Sequence, residues 1–365
     1  MTYILFTSES VTDGHPDKIC DQIADAILDE AMRVDKQSKM AVEATIKDDF
    51  ILVYGEANTK AVIDYAAVAK GVLKDIGYTE DYEVLVRVNK QSSQINKAVV
   101  DTENMGAGDQ GIMFGYATNE TENYMPLSID LAHKLAKQLS DIKKDITWLL
   151  PDGKTQVTVA YDENHQPVYV HTILVSASHL AGITHEEIEK VVMNNVIKPV
   201  IDEKWMREDT RIIINPSGEF SIAGSFSDSG TTGRKIVVDT YGGVGRIGGG
   251  CFSSKDPSKV DRSAAYFCRY VAKAVVAADL ADRVEIQLSY AIGLTDPLSI
   301  HIDTFGTNKR PESEILEIIK NNFDFRVGSI IQELDLLQPI YRNTANFGHF
   351  GRDGFSWEKV KELTF

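Results

Sequence analysis

Apolar positions along this chain repeat with a period near four in some stretches and alternate in others, and the switches between the two give an order of elements. Ile4–Phe6 is a short apolar run that predicts a strand. From Pro16 to about Val34 the residues Ile19, Ile23, Ile27 and Ala31 recur at spacing four, the stripe of a helix. Strand-like runs follow at roughly 40–47 and 50–57, the second opening Phe50-Ile51-Leu52-Val53-Tyr54. Val62, Ala66, Ala69, Val72 and Leu73 carry a helix over about 60–76, and Tyr82–Val88 closes the unit as a strand. The order is β-α-β-β-α-β.

The order recurs. Ile112–Tyr116 predicts a strand, and Leu131, Leu135 and Leu139 a helix over 127–140. Gln156–Tyr161 and Val168–Ser176 form a hairpin pattern across Asp162–Gln166. Thr184 with Glu187 is a capping box that opens a helix to about Ile201, and Arg211–Ile214 is the closing strand. A third pass has a strand at Lys235–Tyr241, a helix at about 262–280, strands at 284–292 and 297–304, and a helix from near Pro311. The expected fold class is α+β. It comprises three similar units at 1–100, 101–220 and 221–365, each a split βαβ arrangement with an antiparallel sheet and helices on one face. Residues 89–111 break the pattern; a polar, patternless run of that length inside a compact domain points to a functional loop rather than a plain connection.

The formal net charge of −16 argues against nucleic acid and anionic membranes as general partners, so any anionic substrate must meet locally gathered cations. The three cysteines Cys20, Cys251 and Cys268 form no CxxC pair, which suits a reducing compartment. No signal peptide pattern opens the chain, and no stretch approaches the ~20 apolar residues of a membrane span. A cytoplasmic location is expected.

Two segments carry candidate chemistry. In Gly14-His15-Pro16-Asp17-Lys18, Pro16 takes the first helical position, which puts His15 at the N-cap and Asp17 in the first turn. Free N–H groups there welcome phosphate, and Asp17 suits Mg²⁺; ordinary dipole-complementing capping is the competing reading. The second segment gathers Arg234, Lys235, Lys255, Lys259 and Arg262 around the glycine-rich Gly242–Gly250, with Asp228, Asp256 and Asp261 interleaved. Fixed cations beside carboxylates suit a magnesium polyphosphate, and a solvated charged loop is the alternative. Glu43 and Glu56 interrupt apolar strands, either facing solvent or holding a cation. GxGxxG occurs at Gly106–Gly111 and Gly243–Gly248, but neither has the strand-turn-helix context of a dinucleotide site.

Taken with Gly106-Ala107-Gly108-Asp109-Gln110-Gly111 and the run from Gly248 to Ser263, the Gly14–Lys18 motif closely resembles the S-adenosylmethionine synthetase family, from Phe6 to about Lys359. The resemblance implies three domains about a pseudo-threefold axis and a dimer with active sites shared between subunits, and leaves pairing into tetramers open. It implies that the sulfur of methionine attacks C5′ of ATP and expels triphosphate, which is then hydrolysed. By the same resemblance His15, Arg234, Lys235 and Lys255 match positions that act on the triphosphate, Lys154 with Asp152 matches nucleotide contacts, and His15, Lys154, Arg234, Lys235 and Lys255 are the catalytic set it implies. Asp152, Phe220, Asp228 and Cys251 complete the ATP site, with Phe220 against adenine. Glu56, Gln91, Asp109, Asp228 and Lys259 match the methionine pocket. Asp17 and Asp261 match ligands of two Mg²⁺ ions per site, and Glu43 a K⁺ ligand. The loop after Gln91 matches a lid. Glu219 stands where a basic residue is usual, Cys251 where alanine is usual and Ser254 where glycine is usual. A phosphotransferase would release ADP instead, a nicotinamide oxidoreductase would need a helix after Gly248, and a non-catalytic ATP-binding subunit would have lost the acids at 17, 109, 228 and 261.

Overall fold

The computed structural model describes residues 3–90 and 105–365, so Gln91 and most of the predicted loop lie outside the described residues. The first pass comprises β1 (Ile4–Val11), α1 (Pro16–Val34), β2 (Lys39–Lys47), β3 (Phe50–Asn58), α2 (Tyr65–Ile76) and β4 (Glu83–Asn89). The second comprises β5 (Gly111–Thr118), α3 (Leu127–Asp141), β6 (Leu149–Tyr161), β7 (Pro167–His179), α4 (His185–Val192) and β8 (Arg211–Ile214). The third comprises β9 (Gly230–Thr231), α5 (Val260–Ala277), β10 (Arg283–Tyr290), β11 (Ser299–Asp303), α6 (Glu312–Asn322) and α7 (Val327–Glu333). The α+β class and the three-unit order agree with the expectation.

The sheets themselves differ from it in two ways. They are not each closed within one pass: their orders are β4-β3-β2-β9, β1-β6-β7-β8 and β11-β10-β5. The first strand of every pass has left its own unit and lies beside another, in a cyclic exchange. Alternation fixes which face of a strand is buried and leaves its neighbour undetermined. Nor are they purely antiparallel: β3 and β4 run parallel across the α2 crossover, and β7 and β8 run parallel across α4.

A third correction concerns Lys235–Tyr241. The β-branched run Ile236-Val237-Val238 forms one helical turn, Ile236–Asp239, closed by Asp239 N–H donating to Lys235 O at 2.8 Å. Charge pairing at its ends overrides strand propensity: Lys235 reaches Asp17, and Asp239 accepts from Lys18. Elsewhere boundaries move by a few residues, except that β6 starts at Leu149, seven residues before the expected Gln156, and so carries Asp152 and Lys154. The helix expected over 60–76 starts at Tyr65, because Asp64 caps it by accepting from Ala67 N–H at 3.0 Å.

Helix α1 is the hub. Ile19, Ile23, Ile27 and Ala31 are fully buried, each isoleucine contributing about 1.5–3 kcal/mol by leaving water. Yet every residue from Pro16 to Asp29 is buried, polar ones included. The polar side is satisfied by an unexpected device. Asp17, Asp21, Asp25 and Asp29 recur at spacing four and each accepts from a segment of the third pass. Asp17 takes Thr231 N–H at 3.0 Å, and Asp21 takes Gly233 N–H at 2.8 Å. Asp25 takes Ser254 N–H at 3.1 Å, and Asp29 takes Tyr341 N–H at 2.8 Å. The C-terminal unit is thereby laid along the helix of the first.

Candidate active site

Strand exchange brings the first cluster together. Because β1 pairs with β6, Val11 stands opposite Lys154, and Thr12 donates its N–H to Gly153 O at 3.0 Å. The turn that opens α1 therefore lies against 151–154. Because β9 pairs with β2, Thr231 reaches Asp17 and carries Arg234 and Lys235 with it. Two glycines permit the approach: a Cβ on Gly14 would lie 2.3 Å from the Pro151 side chain, and one on Gly230 would lie 2.2 Å from Pro16 O.

At the helix N-terminus His15 is the N-cap, its Nδ1 accepting from Asp17 N–H at 3.2 Å. The imidazole proton is therefore on Nε2. Burial first, and the Lys235 ammonium second, push its pKa down to about 3, so His15 is a neutral donor. Burial opposes ionisation of Asp17, but Lys235 at 2.6 Å and the Thr231 N–H outweigh it and hold the carboxyl below its ordinary value. Arg234 Nε lies 3.3 Å from the same carboxylate. Asp152 accepts from Gly224 N–H at 2.9 Å through Oδ2, while its buried Oδ1 has no partner; burial raises it to about 6. Lys154 and Asp228 are exposed and close enough to bias His15 electrostatically. Phe220, past the end of β8, is half-buried opposite the last residue of β7. His15, Asp17, Asp152, Lys154, Asp228, Arg234 and Lys235 thus form one mouth in which three cations are interleaved with three acids around a neutral histidine, with Phe220 on a segment tied to it through Gly224.

A second cluster lies further along α1. Lys255 bridges to Ala41 on one side, and Glu56 pairs with Ala41 on the other. Lys255 Nζ is 2.5 Å from Asp261, which sits in the first turn of α5. Gly108 N–H donates to Ser258 O at 3.1 Å, which brings the exposed Asp109 to this end of α5. Between the clusters Cys251 packs on Gly233, whose Cβ would lie 2.6 Å from its Sγ, and burial pushes the thiol up to about 11. Glu43 is half-buried and accepts from Tyr54 OH at 3.1 Å.

Some expected cations are occupied. Arg262 is fully buried and forks onto Asp25 at 2.8 and 2.7 Å, so it is a clamp and not a polyphosphate ligand. It also donates to Lys255 O at 3.1 Å, while Asp25 accepts from Ser253 Oγ and Ser254 N–H, so the pair fixes the chain that presents Lys255. Lys259 is bound to Asp256 at 2.6 Å. Burial would raise Asp256, but Lys259 and Lys39 bring it down to about 2. Its other bonds, from Met40 and Ser258, make Asp256 a structural acid. The roles of Asp25 and Arg262 had a sequence signal, the spacing-four aspartates, but their partners lie more than 200 residues away.

Among the described residues no group of three or more His, Cys, Asp or Glu side chains is gathered to hold a metal. Asp17 and Asp261 are single carboxylates, each neutralised by lysine. Magnesium at polyphosphate sites takes one or two carboxylates and completes its octahedron with phosphate and water oxygens. The two acids therefore fit an ion that arrives with its phosphate ligand. From Asp17 to Asp25, where the Lys255 chain is tied, α1 advances about 12 Å at its rise per residue. No helix among the described residues is long and apolar enough to cross a membrane.

Three family models match in sequence: the S-adenosylmethionine synthetase N-terminal domain over residues 3–101, the central domain over 104–220 and the C-terminal domain over 222–359. The chain is also 51% identical over 369 aligned positions to a protein of Sorangium cellulosum (strain So ce56) named S-adenosylmethionine synthase, covering 97% of this chain and 87% of that one.

Proposed function

Since the chain belongs to the S-adenosylmethionine synthetase family and is a transferase, we propose that it converts ATP, methionine and water to S-adenosylmethionine, diphosphate and phosphate. The observation that carries this reading is the gathering of the cations Lys154, Arg234 and Lys235 with the neutral donor His15 about Asp17 at the N-terminus of α1. A thioether is a competent neutral nucleophile, so displacement at C5′ needs no general base. The neutral His15 agrees with that. What the reaction needs is stabilisation of the departing triphosphate charge, and preorganised cations and N–H donors supply it. His15 Nε2–H donates toward the oxygen leaving C5′, while Arg234, Lys235 and Lys255 neutralise the chain of phosphates. Lys154 and Asp152 hold the nucleotide, and Phe220 covers adenine. Asp228, Glu56, Asp109 and Lys259 receive methionine, its ammonium on the acids and its carboxylate on Lys259, whose ammonium keeps two further protons to donate beside its bond to Asp256. The pairs Lys235–Asp17 and Lys255–Asp261 must then open on binding, each lysine turning to phosphate and each acid to Mg²⁺, with K⁺ at Glu43. The ions supply charge neutralisation of the leaving group.

The site is read as completed across a dimer, cluster one of one chain facing cluster two of the other. Three unbridged cysteines support a reducing cytoplasm. The direct test is to incubate purified protein with ATP, methionine, Mg²⁺ and K⁺ and follow products by mass spectrometry. The sulfonium product with diphosphate and phosphate is expected; ADP, or no sulfonium, would overturn the reading.

A further inference from the structure

From the bonds around Phe220 we infer that His179 is the residue that sets its position, and hence a positioning residue for adenine. The inference rests on the reading of Phe220 as the adenine-facing aromatic. His179 is the last residue of β7 and is buried, with 1% of its surface exposed. Its Nδ1 lies 2.9 Å from Leu180 O, a carbonyl that can only accept, so the ring proton is on Nδ1. Nε2 is left as an acceptor, and it receives Phe220 N–H at 3.1 Å. The His179 main-chain N–H in turn donates to Phe220 O at 3.0 Å. Both polar groups of the Phe220 backbone are thus held by one residue 41 positions earlier, and both ring nitrogens of that residue are committed to the task.

The surroundings make this the controlling contact. Residues 216–219 are exposed, and Gly218 has φ +86°, so the chain leading into Phe220 is a surface turn with little packing of its own. Before the turn, Asn215 brackets Ala177 with its side chain, accepting from its N–H at 2.8 Å and donating to its carbonyl at 2.9 Å. After it, Gly224 N–H is held by Asp152. Between those anchors, among the described residues, the Phe220 backbone is hydrogen-bonded to His179 only. The edge of β7 left open past the end of β8, backed by β6 on its other side, thereby becomes the ruler against which the ring is set. A side chain lacking an acceptor at the Nε2 position leaves Phe220 N–H unpaired and lets the turn swing, withdrawing the ring from one face of the base. The triphosphate groups at the α1 terminus are untouched by the change.

The test compares His179→Leu, which removes the acceptor, with His179→Gln, whose amide oxygen reaches to where Nε2 stands, and with Phe220→Ala. Each is assayed for KM toward ATP and methionine, and for hydrolysis of added inorganic tripolyphosphate, which has no adenine. The expectation is that Phe220→Ala and His179→Leu each raise KM for ATP by about tenfold, the scale of losing one stacked base. KM for methionine and tripolyphosphate hydrolysis should stay at wild-type values, and His179→Gln should return KM for ATP to within about threefold of wild type. If Phe220→Ala raises KM for ATP and His179→Leu does not, the positioning role is overturned while Phe220 keeps its part. If Phe220→Ala itself leaves KM for ATP unchanged, the adenine reading of Phe220 falls and the inference with it. A His179→Leu protein that loses tripolyphosphate hydrolysis and ATP affinity together, without recovery in His179→Gln, reduces His179 to a fold residue and overturns the inference.

Discussion

His133 shows how a single buried residue ties stability to pH. On α3 its Nδ1 shares a 2.8 Å hydrogen bond with Ser10 Oγ, and its Nε2 is enclosed without a partner against Gly348, whose Cβ would lie 2.5 Å away. Burial, then Arg352 and Lys18, bring its pKa down to about 3, so it is neutral when folded. The unfolded chain, near 6.5, takes up the proton first. The contribution of this residue to stability is therefore complete above about 6.5 and declines as pH falls toward 3. At pH 4.5 the loss is about 2–3 kcal/mol. His133→Asn, which keeps an amide near Ser10, should lose correspondingly less stability than wild type between pH 7.5 and 4.5 in urea unfolding; equal losses would remove His133 from the acid response. Asp17 makes a second prediction at this scale. In Asp17→Asn the amide can still accept from Thr231, so the fold should persist, while Lys235 loses its charged partner. The expected result is a higher Mg²⁺ requirement or no product; a wild-type Mg²⁺ titration would exclude Asp17 from the metal site.

Elements were the most legible scale, and they also show where legibility ends. The stripe Ile19–Ile23–Ile27 identified α1 because burial of one face imposes a period of 3.6 residues. The same reasoning found β2, β3 and the β6–β7 hairpin. It failed for Ile236–Asp239, where two ion pairs overrule the preference of β-branched residues for strands. It also passed over Asp21, Asp25 and Asp29, since charged residues are ordinarily solvated and only their spacing hinted at a shared function. Buried, each such acid is sustained by its partners. For Asp25 these are the two forks of Arg262, Ser253 and Ser254. Arg262→Met should cost about 3–5 kcal/mol, because it strands an ionised carboxylate inside the protein. Adding Asp25→Asn to that variant should restore a large part of the loss. Urea unfolding of the two single variants and the double variant measures it, and strictly additive costs would mean that the pair is not a coupled clamp. Since the same clamp presents Lys255, turnover should fall in Arg262→Met even where folding is retained.

At the scale of the molecule, the cyclic strand exchange accounts for why the site residues form two clusters and not one. β1 and β9 deliver His15, Lys154, Asp17 and Lys235 to the first, whereas β5 delivers Asp109 beside Asp261 to the second. None of this was legible, because pairing between strands 150 residues apart leaves no local pattern. The topology does, however, make the dimer proposal testable without a crystal of the complex. Suppose each site combines cluster one of one chain with cluster two of its partner. Lys235→Met then disables the first contribution of a chain and Lys255→Met the second, and each homodimer is inactive. In a mixed dimer both lesions fall in the same site, and the other site is assembled from two intact halves. Random exchange of equal amounts makes half the dimers mixed, each with one working site of two, so activity should return to about a quarter of wild type. If each chain carried its own complete site, every site in the mixture would still hold one lesion and nothing would return. The measurement is sulfonium formation after the two inactive proteins are dissociated and reassociated together, with each protein treated alone as the reference.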